Sequence, residues 1–301
     1  MRLDRRTLLS GVSSVIVTTA SAPAFAAASA PVVTRQYAPN RFGQLHLHVA
    51  QPKDRKDITR TPLVCFHQTP ASGHTFDGLI PYMATDRVLM AVDTPGYGES
   101  DRPPYPVTIG TYADGVADAL QALGYGKGKR QIDVLAYHTG CLIAADMAAR
   151  YPQLVRRLVL TAVPYYPDPE KRAQSFAKIE RWTFSEEPKR VLEFWDNNVK
   201  KRAEGISLEL GIAQFQDRIR PGDKEWWGYE AVFSYDPTPT FAAIKQPMAI
   251  LNPHGALKQQ TEAVATAVPG ATFVDLPEIT HSVFQLNAGT IATHARAFLD
   301  R

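Results

Sequence analysis

QIDVLAYHTGCLIAADMAARYP, residues 131–152, is the stretch whose reading decides the fold. A short apolar run, Ile132 to Ala136, has the character of a buried strand and breaks at Tyr137-His138-Thr139-Gly140. Small and apolar residues then recur at helical spacing through Cys141, Ala144, Ala145, Ala148 and Ala149. Strand, sharp turn and helix follow in that order. Such a turn lifts its middle residue above the strand's carboxyl end, beside the first unpaired N–H groups of the helix, which can stabilise an oxyanion. The residue at the apex is His138.

This pattern resembles the nucleophile elbow of the α/β-hydrolase superfamily, G-x-S-x-G followed by a small-residue helix ending near Tyr-Pro. Counting back from Ala148-Ala149-Arg150-Tyr151-Pro152 puts His138 at the serine position and Ala136 at the first glycine. The resemblance extends over residues 27–301. It implies a mostly parallel eight-stranded sheet covered by helices on both faces, interrupted by a helical cap. It equally implies that no acyl-serine forms at the usual place.

Other stretches carry the same resemblance. Pro62-Leu63-Val64-Cys65-Phe66 is a continuous apolar run suited to a buried parallel strand, and His67-Gln68-Thr69-Pro70 follows it. By resemblance to H-G-x-P, the Gln68 N–H and the Thr139 N–H form the two halves of an oxyanion hole. The Gln68 side chain either orients substrate or fills space. Asp93 to Pro103, DTPGYGESDRP, resembles the structural D-x-x-G-x-G-x-S-x-x-P loop, which makes Asp93 a tie for the loop rather than a catalyst. His281 in Pro277-Glu278-Ile279-Thr280-His281-Ser282 matches the family's catalytic histidine. The loop after strand Pro247 to Leu251 reads Asn252-Pro253-His254-Gly255, without the acid the family carries there. Glu278, Asp168 and Glu170 are the replacements considered.

The remaining strands are expected at Val32 to Tyr37, Gly43 to Ala50, Val88 to Val92, Val155 to Thr161 and Thr272 to Leu276. Helices are expected at Phe76 to Met83, Thr108 to Leu123, Leu257 to Ala267 and Val283 to Leu299. Leu45, Leu47 and Val49 alternate with His46 and His48, which places the two histidines on the polar face of an outer strand. The core is thus expected in two parts, residues 27–163 and 239–301, around a cap at 164–238. The cap carries charged helices at Pro169 to Glu180 and Pro188 to Arg202, and all 4 tryptophans. Most of these should form the cap's own core, while Trp226 and Trp227 are candidates for the pocket.

Composition narrows the classes. Residues 1–26 combine Asp4-Arg5-Arg6-Thr7-Leu8-Leu9, an apolar stretch and Ala24-Phe25-Ala26, which reads as a cleaved twin-arginine signal and export to a periplasm. The whole chain has a formal charge of +3. Removing Arg2, Arg5, Arg6 and Asp4 leaves it near neutral, giving no electrostatic case for nucleic acid or a membrane surface as partner. Cys65 and Cys141 read as buried small hydrophobes or as a bridge that export would permit.

His67, His138, His254 and His281, four of the chain's 8 histidines, all fall in loops at the sheet's carboxyl edge. Three readings stay open. His138 and His281 do acid–base or nucleophilic work on a small apolar or aromatic ester or lactone, or in a cofactor-free lyase or isomerase step. Alternatively, histidines of this set bind zinc, although their spacings match no metal motif. Lastly, the protein binds a small molecule beneath the cap without turnover. No metal or cofactor is assigned from the sequence, with His67, Tyr137 and His254 as further pocket candidates.

Overall fold

The computed structural model describes residues 30–128 and 130–301. The expected signal, residues 1–26, lies outside them. Among the described residues no helix is long and apolar enough to cross a membrane.

Eight strands form one sheet: β1 (Val32–Asn40), β2 (Gly43–Gln51), β3 (Leu63–Phe66), β4 (Leu89–Val92), β5 (Ile132–Tyr137), β6 (Val155–Thr161), β7 (Met248–Pro253) and β8 (Thr272–Leu276). Their order is β1-β2-β4-β3-β5-β6-β7-β8. The pairs β1·β2 and β2·β4 are antiparallel, and every pair from β4 through β8 is parallel. This is the α/β-hydrolase fold. Every residue of β3 and β4 is buried, as strands covered on both faces require.

Among the described residues ten α-helices alternate with or follow these strands. A single turn, α1 (Ile80–Met83), α2 (Ile109–Ala122) and α3 (Thr139–Arg150) belong to the first half. Between β6 and β7 lie α4 (Pro169–Phe176), α5 (Lys189–Trp195), α6 (Leu208–Ile219), α7 (Trp227–Phe233) and α8 (Thr238–Ala243). Then come α9 (Lys258–Ala267) and α10 (Ala288–Leu299). Ala113, Val116 and Leu120 of α2, with Leu142, Ile143 and Met147 of α3, join one core on one face of the sheet. Met83, Ile291, Ala295 and Leu299 join a second core on the other. The two sheet faces of β3 feed different cores, Val64 and Phe66 the first, Leu63 and Cys65 the second.

Several boundaries differ from the sequence expectation, each for a local reason. Residues Gly73–Leu79 are a 3₁₀ helix, begun by Ser72, whose hydroxyl accepts the His74 N–H. Only one α turn follows. The closing helix starts at Ala288 rather than Val283, because Ser282 adopts a positive φ of 48° while Val283 and Phe284 are drawn into the second core. The segment expected from Pro188 to Arg202 is α5 continued by a π-helical turn, Asp196–Lys200. Capping explains the sharper starts: Thr108 accepts the Thr111 N–H, Ser207 the Leu210 N–H, and Asp168 the Glu170 and Lys171 N–H groups.

His46 and His48 correct the alternation argument. They are 0% and 6% exposed. β2 is not the sheet's edge, since β1 covers it, and the face carrying both histidines is closed by the segment after β3. Cys65 and Cys141 are both buried free thiols.

Candidate functional site

The elbow is where the sheet, α3 and β3 meet. His138 has φ 49° and ψ −123°, a conformation that side chains with a Cβ rarely adopt, and it is the residue from which α3 starts. Gly140 makes the turn possible on its other side. A Cβ there would lie 2.8 Å from the His67 carbonyl oxygen, closer still to that of Phe66. The strained apex therefore holds a histidine tightly against the end of β3.

Among the described residues, neither the Gln68 nor the Thr139 N–H donates to a backbone acceptor outside regular helix and strand bonding. Two donors are thus left near the elbow, one from the loop after β3 and one from the first residue of α3. His67 is buried and has a positional duty: its Nδ1–H donates to the Gln68 carbonyl over 2.7 Å, and its Nε2 accepts the Thr94 N–H over 3.0 Å. Burial pushes its pKa down, so the ring is held neutral in one tautomer. The Gln68 side chain is also tied, with Oε1 accepting the Thr75 hydroxyl over 3.0 Å.

The His138 ring is half-buried and packs on Tyr137 at 4.1 Å between centroids, tilted by 44°. Burial lowers its pKa to about 4, so it is uncharged at neutral pH. Tyr137, also half-buried, is pushed up to about 12 by burial. His281 is exposed, and its Nδ1 lies 3.2 Å from the Ser282 hydroxyl. Among the described residues no hydrogen bond joins His281 to His138 or to a carboxylate.

None of the acids considered from sequence reaches His281. Asp168 caps α4, while Glu170 and Glu278 are exposed without a hydrogen bond to the ring. His254 turns toward the sheet's far edge, with Nε2 2.9 Å from Asp275, which also accepts from Asn252. Its backbone N–H donates to the Ile279 carbonyl, so the loops carrying His254 and His281 touch through main chain rather than through imidazoles.

A cavity of about 390 Å³ is lined by Gln68, Thr75, Tyr137, Asp217, Arg218 and Ser282 among others, a lining that includes chain neighbours of His138 and His281 but neither histidine itself. Of the pocket candidates only Tyr137 lines it. Trp226 donates through Nε1 to the Asp223 carbonyl and carries the Arg181 guanidinium 4.4 Å above its ring, while Trp227 is buried beside it. These contacts hold both rings inside the helical segment, as Trp182 is held by Phe184 and Phe194, and Trp195 by Phe215. His67 faces the Thr94 turn instead, and His254 faces Asp275.

The residue that sequence reading missed is Asp217 on α6. Its Oδ2 accepts the Ser72 hydroxyl over 2.6 Å, and burial pushes its pKa up although that hydrogen bond opposes the shift. A half-buried carboxylate in a cavity wall is a group suited to proton exchange. No motif marks it, because Ser72 and Asp217 are brought together only by the docking of α6 on the segment after β3.

Comparison with known proteins agrees with the fold. Residues 61–210 match the family described as the alpha/beta hydrolase fold. A pimeloyl-[acyl-carrier protein] methyl ester esterase of Neisseria meningitidis serogroup B is 37% identical over 98 residues, 32% of this chain and 34% of that protein. The chain therefore spans about a third of the length of that curated relative. Among solved structures, a hydrolase from Pseudomonas aeruginosa superposes with a TM-score of 0.71 at 19% identity, covering 89% of this chain and 99% of that one. The enol-lactonase from Burkholderia xenovorans superposes with 0.67 at 18% identity, covering 88% and 100%. At these identities the structural likeness is one of fold.

Proposed function

We propose that this chain, which belongs to the α/β-hydrolase superfamily, hydrolyses a small polar ester or lactone without a serine nucleophile. The observation that carries the reading is the apex itself. A histidine at φ 49° and ψ −123° is strained by about 1–3 kcal/mol, and such strain persists where the surrounding structure enforces it, most often at functional sites. The relatives' activities, methyl ester and enol-lactone hydrolysis by name, point to the same class of carbonyl substrate. The polar lining by Gln68, Thr75, Asp217 and Arg218 favours a polar substrate over the apolar or aromatic one expected from the tryptophans.

In this mechanism the substrate carbonyl oxygen accepts the Gln68 and Thr139 N–H groups, which hold the negative charge as it develops. Water attacks the carbonyl carbon while the uncharged His138 ring takes its proton. The carbon–oxygen bond to the leaving group then breaks, and the leaving oxygen takes that proton from His138. A ring with a pKa of about 4 is a weak base, but it is fully available above about pH 5. The test is the initial rate on short-chain esters and lactones, with the His138→Ala variant in parallel. Saturable turnover lost by about 100-fold or more in the variant supports the reading. Equal, non-saturating rates overturn it.

One observation favours a second reading, a non-catalytic binder of a small polar molecule. His281 is exposed and no carboxylate among the described residues orients it, so the family's proton relay is not assembled there. Ligand-dependent thermal stabilisation without product formation distinguishes it. For either reading we propose export by the twin-arginine route, motivated by Arg5 and Arg6 ahead of the apolar stretch. Loss of periplasmic protein on changing both arginines to lysine is the expected result, and unchanged export rejects it.

A further inference from the structure

Five side chains that no motif groups together lie in a row beside the cavity. Asp93, His46, His48, His74 and Asp77 come from β2, the loop after β4 and the 3₁₀ turn Gly73–Leu79. The rings of His46 and His48 are 4.6 Å apart and those of His48 and His74 4.0 Å, both edge-on. Residues 46 and 48 share a strand face because side chains alternate with period two. His74 reaches that face because Gly73 has no side chain: a Cβ there would lie 3.0 Å from Cδ2 of His48 and 2.8 Å from the Ala91 carbonyl.

The two ends of the row differ. Asp93 is fully committed, accepting from His46 Nδ1, Gly73 N–H and Glu99 N–H, so the His46–Asp93 pair is structural. At the other end His74 Nδ1 lies 2.8 Å from Asp77 Oδ2, so an ion entering there replaces the proton that joins them. His48 is 6% exposed, yet neither of its ring nitrogens has a hydrogen-bond partner among the described residues. Its nitrogens are not among the buried atoms that lack a partner, so they reach solvent and are free to take a ligand that enters from it. His74 and Asp77 are half-exposed, with side chains at 50% and 53%, and both line the cavity. One ligand atom from each of His48, His74 and Asp77 lies within 4.8 Å of the others.

We infer that His48, His74 and Asp77 form a binding site for a divalent transition-metal ion, with the cavity as its entry path. Two imidazoles and a carboxylate are the donor set of zinc and its neighbours rather than of magnesium or calcium. Ligand bonds near 2.0–2.2 Å require the three donors to draw together by about 1 Å, which the half-exposed His74 and Asp77 side chains can supply. The remaining coordination positions face the cavity, open to water. The site differs from the elbow histidines, and its existence does not depend on hydrolysis.

The test is zinc binding by the full chain after removal of metal, measured by isothermal titration, together with the absorption spectrum of the cobalt form. One equivalent bound at micromolar affinity or tighter is expected, with visible cobalt bands of a four- or five-coordinate site. His74→Ala and Asp77→Asn, both half-exposed and so tolerated by the fold, should weaken binding by at least 10-fold, whereas His254→Ala should leave it unchanged. His48→Ala should abolish it, with circular dichroism reporting the fold. Absence of binding, or binding insensitive to His74→Ala, overturns the assignment. Loss on His254→Ala alone would place the ion elsewhere and overturn it equally.

Discussion

The imidazole of His46 and the carboxylate of Asp93 meet at 2.8 Å with neither side chain exposed to solvent. Burial would raise the Asp93 pKa, but the His46 hydrogen bond and the Gly73 and Glu99 N–H groups outweigh it and hold the carboxyl below the usual range. The pair ties β2 to the loop after β4 and to the turn that opens the cavity. Asp93→Ala leaves three donors unpaired, two of them buried, and should destabilise the fold by about 3–5 kcal/mol in urea unfolding. A loss under about 1 kcal/mol would remove this tie from the account.

The apex strain can be tested apart from activity. His138→Gly relaxes the positive φ and should raise stability by about 1 kcal/mol while removing turnover. Denaturant midpoint and ester hydrolysis are the two readouts. A glycine variant less stable than the parent would show that the ring's packing on Tyr137 outweighs the strain.

Gly140 answers to space rather than to backbone angle. Its added Cβ would collide with the Phe66 carbonyl, part of a strand with buried neighbours on each side. Gly140→Ala should therefore destabilise by about 1–3 kcal/mol through displacement of α3 from β3. Thermal unfolding gives the check, and an unchanged midpoint contradicts the close approach.

Acid should destabilise the protein in a defined window. Burial lowers His138 to about 4, and burial followed by repulsion from His74 lowers His48 to about 4, against an ordinary histidine value of about 6.5. Between those values the unfolded chain binds protons that the folded chain does not, so stability rises with pH there. It is lost progressively as pH falls from about 6.5 toward 4. His138→Gln should flatten the slope of unfolding free energy against pH across this window; an identical slope would refute the assignment of that ring.

Ser72 and Asp217 make a spectroscopic prediction. The Ser72 hydroxyl opposes the upward shift that burial imposes on Asp217, so Ser72→Ala should raise that carboxyl's pKa further. Carbon-13 titration of aspartate carboxyls reads this directly. A fall, or no change, would mean that the hydroxyl does not donate to the carboxylate in solution.

The elbow, the apolar strands and the Asp93 to Pro103 loop were legible in the amino-acid order, because each depends on neighbours a few residues apart. A buried parallel strand needs a continuous apolar run, and Leu63 to Phe66 supplies one. The apex needs a strand, a turn and a small-residue helix in immediate succession, so His138 could be placed by counting alone. Alternation failed at His46 and His48 because period two assigns residues to opposite faces without saying which face is covered. The segment after β3 covers the histidine face, a fact of docking rather than of periodicity.

The sequence by itself therefore determined the sheet, the elbow and the histidine at its apex, all set by local backbone geometry and hydrophobic pattern. Tertiary structure alone decided which side chains meet. It left His281 without an acid among the described residues, directed His254 to Asp275, and brought Asp217 to Ser72 across 145 residues. It also set His74 against His48. Such meetings depend on how α6 and the 3₁₀ turn dock on the sheet, and docking is fixed by the burial of many side chains at once.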